Sequence, residues 1–242
     1  MATELVYLTD AELRGFDAVV TAVPDDGGVV LDRTAFYVTG GGQPHDIGVL
    51  TWDGGSATVV DVRKVGGEVV HVLEEGSGDG PAVGAAVHGE VDDERRRALM
   101  RTHTALHVLC GVIWNEYKVA VTGGNMEPLA ARMDFEFDPL PEGFGATIER
   151  RVNEEIAAAR PIRVEFLPRA TAVEDEDLIR TKVNMIPESV QEIRVVDIVG
   201  LDRQADGGTH VANTSEVGRV KVVKTESKGK GNKRIRLQIL DA

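Results

Sequence analysis

The 242-residue chain has little of several things that usually announce a function. It carries one cysteine, Cys110, which excludes an internal disulfide framework and agrees with a reducing compartment. No run approaches the roughly 18 consecutive apolar residues of a membrane span. The N-terminus MATELVYLTDAEL also lacks a basic stretch followed by an apolar one. We therefore expect a soluble, cytoplasmic protein. Aromatics make up only 5% of residues, but a hydrophobic content of 42% is enough for a buried core.

Basic charge is scarce too: 27 Lys and Arg face 40 Asp and Glu, a net charge of -13, and only eight of the 27 are Lys. On composition alone nucleic acid is an unexpected partner. An acidic, lysine-poor surface also suits a protein working in concentrated salt. There the Debye length falls to about 3 Å, so a polyanion meets the net acidity only at contact range. Local basic patches then matter more than the sum.

Residues 17 to 91 are rich in Val and Gly, with short alternating runs (AVVTAV, GGVVLD, ATVVDVRKV, EVVHVL, AVHGEV) separated by Gly-rich turns. This pattern predicts a small antiparallel barrel or sandwich. From Asp92 the texture changes: DDERRRALMRTHTALHVLCGVIWNEY opens with acids suited to a helix N-terminus and predicts a helix of about 25 residues. Leu99, Leu106, Cys110 and Ile113 recur on it at helical spacing. A strand ARMDFEF follows, then a helix from about Pro141 to Arg160 carrying Phe144, Ile148, Val152 and Ile156, which Pro161 stops. IRVEFL, IRVVDIV, VGRVKVVKTE and KRIRLQI read as strands, and TAVEDEDLIRT as a short helix. The expected fold is α+β: a glycine-rich, β-barrel-like domain over residues 1–93, then over 94–242 a domain with helices packed on an antiparallel sheet.

Three constellations could carry chemistry. On the long helix, His103 and His107 stand at i and i+4, about 6 Å apart on one face and within reach of a single ion. Asp206 and His210, in DGGTH, would complete four tetrahedral positions, or three plus a water. The residue after the first His is Thr104, so the general base of an HExxH protease is missing. Cys110 lies seven residues beyond His103, about 10 Å along the axis, and reads as core packing. The second constellation, Thr39-Gly40-Gly41-Gly42-Gln43, either lets a ligand approach the main chain or simply joins two strands. The third, Arg219 to Arg236, holds eight Lys or Arg and one acid, Glu226. It reads as a phosphate-contacting hairpin or as lysine protection of an edge strand.

Taken in this order, FYVTGGGQPHDIG, RTHTALHVL, GGTHVANTSEVG and VKVVKTESKGKGNKRIRL resemble the AlaX family, free-standing relatives of the editing domain of alanyl-tRNA synthetase. The glycine-rich unit before the His helix is similar to the medium-length type. The resemblance implies trans-editing of mischarged tRNA for alanine, seryl-tRNA above all and glycyl-tRNA next, with alanyl-tRNA spared. It implies one zinc ion per chain on His103, His107 and His210, with Asp206 where the family usually has a Cys; Asp202, at a spacing that does not match, is the alternative to it. Carboxylate in place of thiolate should weaken zinc binding and make the ion more Lewis acidic. His103, His107 and Thr39 are the candidate catalytic residues. Thr39, Gly40, Gly41, Gly42 and Gln43 are candidates for the aminoacyl group, and Lys228, Lys230 and Lys233 for the tRNA. A tRNA-binding module with a structural or lost metal is the main alternative, and a small-ester metallohydrolase a third. Monomer and homodimer both stay open.

Overall fold

The computed structural model describes residues 2–24, 28–76, 80–137, 139–175, 178, 190–229 and 231–241. The fold is α+β, and the chain divides into two compact units, Met1–Arg97 and Ala98–Ala242. The division falls in the first turns of the long helix α1 (Asp93–Tyr117).

In the first unit, strands β2 (Gly15–Ala22), β3 (Val29–Leu31), β5 (Gly48–Trp52), β6 (Gly55–Val65), β7 (Glu68–Leu73) and β8 (Ala86–Val91) form a closed barrel. The expected barrel or sandwich is thus a barrel. Two short strands, β1 (Glu4–Leu5) and β4 (Arg33–Thr34), pair in parallel. The Val-rich alternation works as strands require: on β6, Ala57 and Val59 point inward, and a bulge between Val59 and Asp61 shifts the phase so that Val62 is buried next.

Two buried polar groups are fixed inside this unit. Arg96 and Asp46 are both fully buried and paired: Asp46 Oδ2 accepts from Arg96 Nε at 3.0 Å and Nη2 at 2.5 Å, and from the Tyr37 N–H at 2.7 Å. The rest of the guanidinium donates to the carbonyls of Ala11 and Ala35. His71 is fully buried between Val29 O (Nδ1, 3.2 Å) and Thr34 Oγ1 (Nε2, 2.8 Å). Burial pushes its pKa down to about 4, against the pull of the Val29 carbonyl.

In the second unit, α1 presents Leu99, Leu106, Cys110 and Ile113 to the interior, as their spacing predicts. Helix α2 (Phe144–Ala157) buries Phe144, Ile148, Val152 and Ile156. A four-stranded sheet runs β14 (Arg219–Ser227), β15 (Asn232–Leu240), β10 (Ala130–Glu136), β9 (Val121–Glu127). A three-stranded one runs β11 (Ile162–Pro168), β12 (Glu192–Ile198), β13 (Asp202–Ala205). Strands β9 and β13 were not foreseen, because VTGGNME and DRQA offer neither apolar alternation nor β-branched runs. Helix α3 (Arg169–Ala172) starts before the expected short helix, much of which lies outside the described residues. No helix among the described residues is long and apolar enough to cross a membrane.

Edge strand β14 is finished by α2 rather than by lysine alone. The Asn153 amide donates to Val220 O (2.7 Å) and accepts from Val220 N–H (2.9 Å), and Glu149 Oε2 accepts from Val222 N–H (2.9 Å). These side chains take the place of a further strand.

Candidate metal centre

The two halves of the expected site meet in the second unit. One ligand atom from each of His103, His107, Asp206 and His210 lies within 4.8 Å of all the others. His103 and His107 project from one face of α1, and the same face continues to Gly111 and Asn115. Asn115 donates to Leu201 O at 3.0 Å. A methyl group on Gly111 would come within 2.9 Å of Asp202 Cβ and 3.1 Å of Leu201 O, so the missing side chain is what lets β13 approach this helix. On β13 and its continuation, Asp202, Gln204 and Asp206 stand two residues apart and so share one face. Asp206 N–H continues the ladder to Arg194 O at 3.1 Å.

Two of the three rings are held from behind. His107 Nδ1 faces Asp202 Oδ2 at 3.2 Å, and Gln204 Nε2 donates to the same oxygen at 2.6 Å. The carboxylate can only accept there, so Nδ1 carries the proton and Nε2 keeps its lone pair for the centre. His210 Nδ1 faces Thr104 Oγ1 at 3.2 Å, which also accepts from Val211 N–H at 3.3 Å. Asp206 Oδ2 accepts from Gly208 N–H at 2.6 Å and faces His210 Nε2 at 3.0 Å. Its Oδ1 looks toward His103 Nε2 (3.6 Å) and His107 Nε2 (4.0 Å). Arg194, buried in β12, donates to Asp206 O at 2.8 Å.

The electrostatics suit a cation. Burial pushes His210 down to about 4 and holds His103 well below its ordinary value, in both cases against Asp206, so both rings are neutral near pH 7. For His107 burial is again the largest influence, but the Asp202 hydrogen bond and the charges of Asp206 and Asp202 outweigh it and raise the pKa. Burial also opposes ionisation of Asp206, yet the facing imidazoles, His103 first, hold its carboxyl well below the usual range. Four donors around an ion with bonds of ~2.0–2.1 Å stand about 3.3 Å apart in a tetrahedron. The carboxylate's separations, 3.0 Å from Oδ2 to His210 and 3.6 and 4.0 Å from Oδ1 to His103 and His107, bracket that spacing. Asp202, weighed as an alternative ligand, faces the back of His107 instead.

The glycine-rich turn lies in the first unit. Gly40 and Gln43 exchange both backbone hydrogen bonds (3.1 and 2.9 Å), and Gly41 and Gly42 between them take φ of +57° and +86°. This is a two-residue turn that only glycine adopts easily, so these two glycines have a structural reason to be there. Gln43 is buried while Thr39 is exposed. Thr39 Oγ1 accepts from His45 N–H at 3.2 Å and lies 3.1 Å from His45 Nδ1, which also faces Asp61 Oδ1 at 3.0 Å. The carboxylate requires the proton on Nδ1, so the Thr39 hydroxyl accepts from His45 and keeps its own proton to donate elsewhere.

The basic segment forms the β14–β15 hairpin, but much of its charge is paired: Arg234 with Asp134 (2.7 Å, twice) and Arg236 with Glu226 (2.5 Å). Lys233 donates to Ser227 Oγ at 3.3 Å, Lys228 is exposed, and Lys230 lies outside the described residues. Arg219, Lys221 and Lys224 share the outer face of this sheet and are exposed.

A family model described as "Threonyl and Alanyl tRNA synthetase second additional domain" matches residues 193–236, from β12 into β15. Another, "tRNA synthetases class II (A)", matches residues 9–95, the barrel and its glycine-rich turn. The alanyl-tRNA editing protein AlaX-M of Methanosarcina barkeri is 37% identical over 99% of this chain and 100% of its own length. The chain belongs to the AlaX family of alanyl-tRNA editing proteins. The AlaX-M protein of Saccharolobus solfataricus is 35% identical, over 96% of this chain and 97% of its own. The alanine–tRNA ligase of Pyrobaculum aerophilum is 41% identical over 93% of this chain, which spans 25% of that enzyme. The AlaX resemblance did not point to Thr104, Arg194 and Gln204, nor to Asp202 as a ring-holding partner. The polar residues at every second position, Asp202, Gln204 and Asp206, were the signal available for Asp202 and Gln204.

Proposed function

We propose that the chain is a trans-editing hydrolase that removes serine, and secondarily glycine, from mischarged tRNA for alanine, and spares alanyl-tRNA. The observation that carries this reading is the buried His103, His107, Asp206, His210 centre, in a chain alignable from end to end with alanyl-tRNA editing proteins. These four residues would hold one zinc ion. A zinc ion in such a site supplies Lewis acidity towards the ester carbonyl or lowers the pKa of a water.

The chain's own residues do the rest. Asp202 keeps the lone pair of His107 aimed at the centre, Thr104 holds the His210 ring at its Nδ1, and Arg194 anchors the backbone that carries Asp206. Thr39 offers its hydroxyl proton to the serine hydroxyl oxygen, a hydrogen bond that neither alanine nor glycine can accept and that puts serine first. Lys228, Lys230 and Lys233, together with the outer sheet face bearing Arg219 and Lys221, contact tRNA phosphates.

The deciding experiment incubates the purified chain, with zinc and in high salt, with seryl-, glycyl- and alanyl-tRNA for alanine. Loss of the seryl ester first, the glycyl ester next and no loss of the alanyl ester is expected. Tightly bound zinc with no hydrolysis of any of the three would instead make the chain a tRNA-binding module.

A further inference from the structure

Phe166 is the one exposed aromatic among the described residues, 42% accessible on edge strand β11, with Val164, two residues away on the same face, equally exposed. An exposed aromatic on an edge strand is a liability unless something covers it. Its position is the informative part. Phe166 stands directly opposite Arg194 in the β11–β12 register, and Arg194 exchanges ladder contact with Asp206 in the next strand. Phe166, Arg194 and Asp206 therefore form one row across the sheet. Residues opposite one another in a sheet share a face, so the ring lies on the same side as the metal-centre carboxylate. Two strand spacings of ~4.8 Å put their Cα atoms about 10 Å apart. Val164, exposed on the same face of β11, widens the apolar ledge.

We propose that this ledge is the platform for the terminal base of the tRNA, with Phe166 stacking on the purine of the 3′-terminal nucleotide. The inference rests on the editing reading above. In an aminoacyl ester one ribose separates the ester carbonyl from the base. With the carbonyl beside Asp206, a ribose bridges most of the ~10 Å to Phe166, and the base reaches the ring. Stacking suits this role because it holds the end of the tRNA through its π-face, whatever the sequence of the stem. Phe166 is a positioning residue and touches none of the bonds that break.

The test uses uncharged tRNA for alanine carrying 2-aminopurine as its 3′-terminal base, whose fluorescence falls on stacking. Quenching is expected with the unmodified protein and with Phe166→Trp, and should be absent with Phe166→Ala. On seryl-tRNA, Phe166→Ala should lower kcat/KM roughly 5- to 100-fold. Trp should restore it, while Leu, apolar but without a π-face, should not. Quenching that persists in Phe166→Ala, or full rescue by Leu, overturns the proposal. So does a dimer that dissociates in Phe166→Ala while quenching is unchanged, because the ledge then belongs to a second copy of the chain. Normal quenching with no hydrolysis by the unmodified protein would remove the editing reading and leave the stacking platform standing.

Discussion

At the scale of single residues, the centre depends on groups that touch no ion. Asp202→Asn replaces the carboxylate behind His107 with an amide that can present either a donor or an acceptor, so the tautomer is no longer imposed. Zinc affinity, measured by competition with a chromophoric chelator, should fall about 10- to 100-fold. Asp206→Cys should move it the other way, since thiolate is the softer donor; an unchanged affinity would take Asp206 out of the ligand set. In the barrel, His71 makes a pH prediction. Its folded pKa of about 4 lies below the ordinary 6.5, so the unfolded chain binds the extra proton first as pH falls. Its stabilising contribution is complete above pH 6.5 and shrinks between 6.5 and 4 by about 3 kcal/mol. Urea unfolding followed through Trp52 at pH 7 and pH 4.5 should show this loss, and His71→Gln should flatten it.

At the scale of elements, α1 was legible from its sequence down to the pairing of His103 with His107, because a 3.6-residue period puts i and i+4 side by side whatever surrounds them. Its partner strand was not legible. Asp202, Gln204 and Asp206 look like a polar loop until β12 supplies the ladder that makes them a strand, and Gly111 looks like a weak point in the helix until β13 is seen against it. Gly111→Ala separates these views. Helix propensity alone favours the alanine by about 1 kcal/mol, but its methyl would crowd Asp202 Cβ at 2.9 Å and Leu201 O at 3.1 Å. We expect a lower melting temperature together with weaker zinc binding. A stabilised protein with unchanged zinc affinity would show that the β12–β13 turn yields easily.

At the scale of the whole molecule, a net charge of -13 sits beside a sheet face carrying Arg219, Lys221 and Lys224. Self-repulsion of the excess acids is long-ranged at low salt and screened as the Debye length shortens. Rising KCl should therefore raise the melting temperature, and each 1 kcal/mol gained should appear as roughly 2–4 °C. A steady fall with salt would mean that ion pairs such as Arg234–Asp134 outweigh the repulsion. The basic segment also shows why a count of charges overstates an interface. Eight cations in sequence read as one patch, but Asp134, distant in the chain, pairs with Arg234, and Glu226 pairs with Arg236 across the hairpin.

The sequence by itself determined what local periodicity and composition can encode: the Val-rich barrel strands, the two amphipathic helices, the paired histidines on α1 and the two-glycine turn. Its motifs, taken in order, also carried the family. Tertiary structure decided everything that needs two distant segments at once. It set α1 against the Asp206–His210 loop that the motifs had paired with it, and it turned Asp202 from a rival ligand into the partner that orients His107. It also made Thr104 the residue that holds His210 and set Phe166 in one row with Asp206. Hydrogen bonds and metal donors act over about 3 Å, and only the packing of helix against sheet brings residues a hundred positions apart within that range.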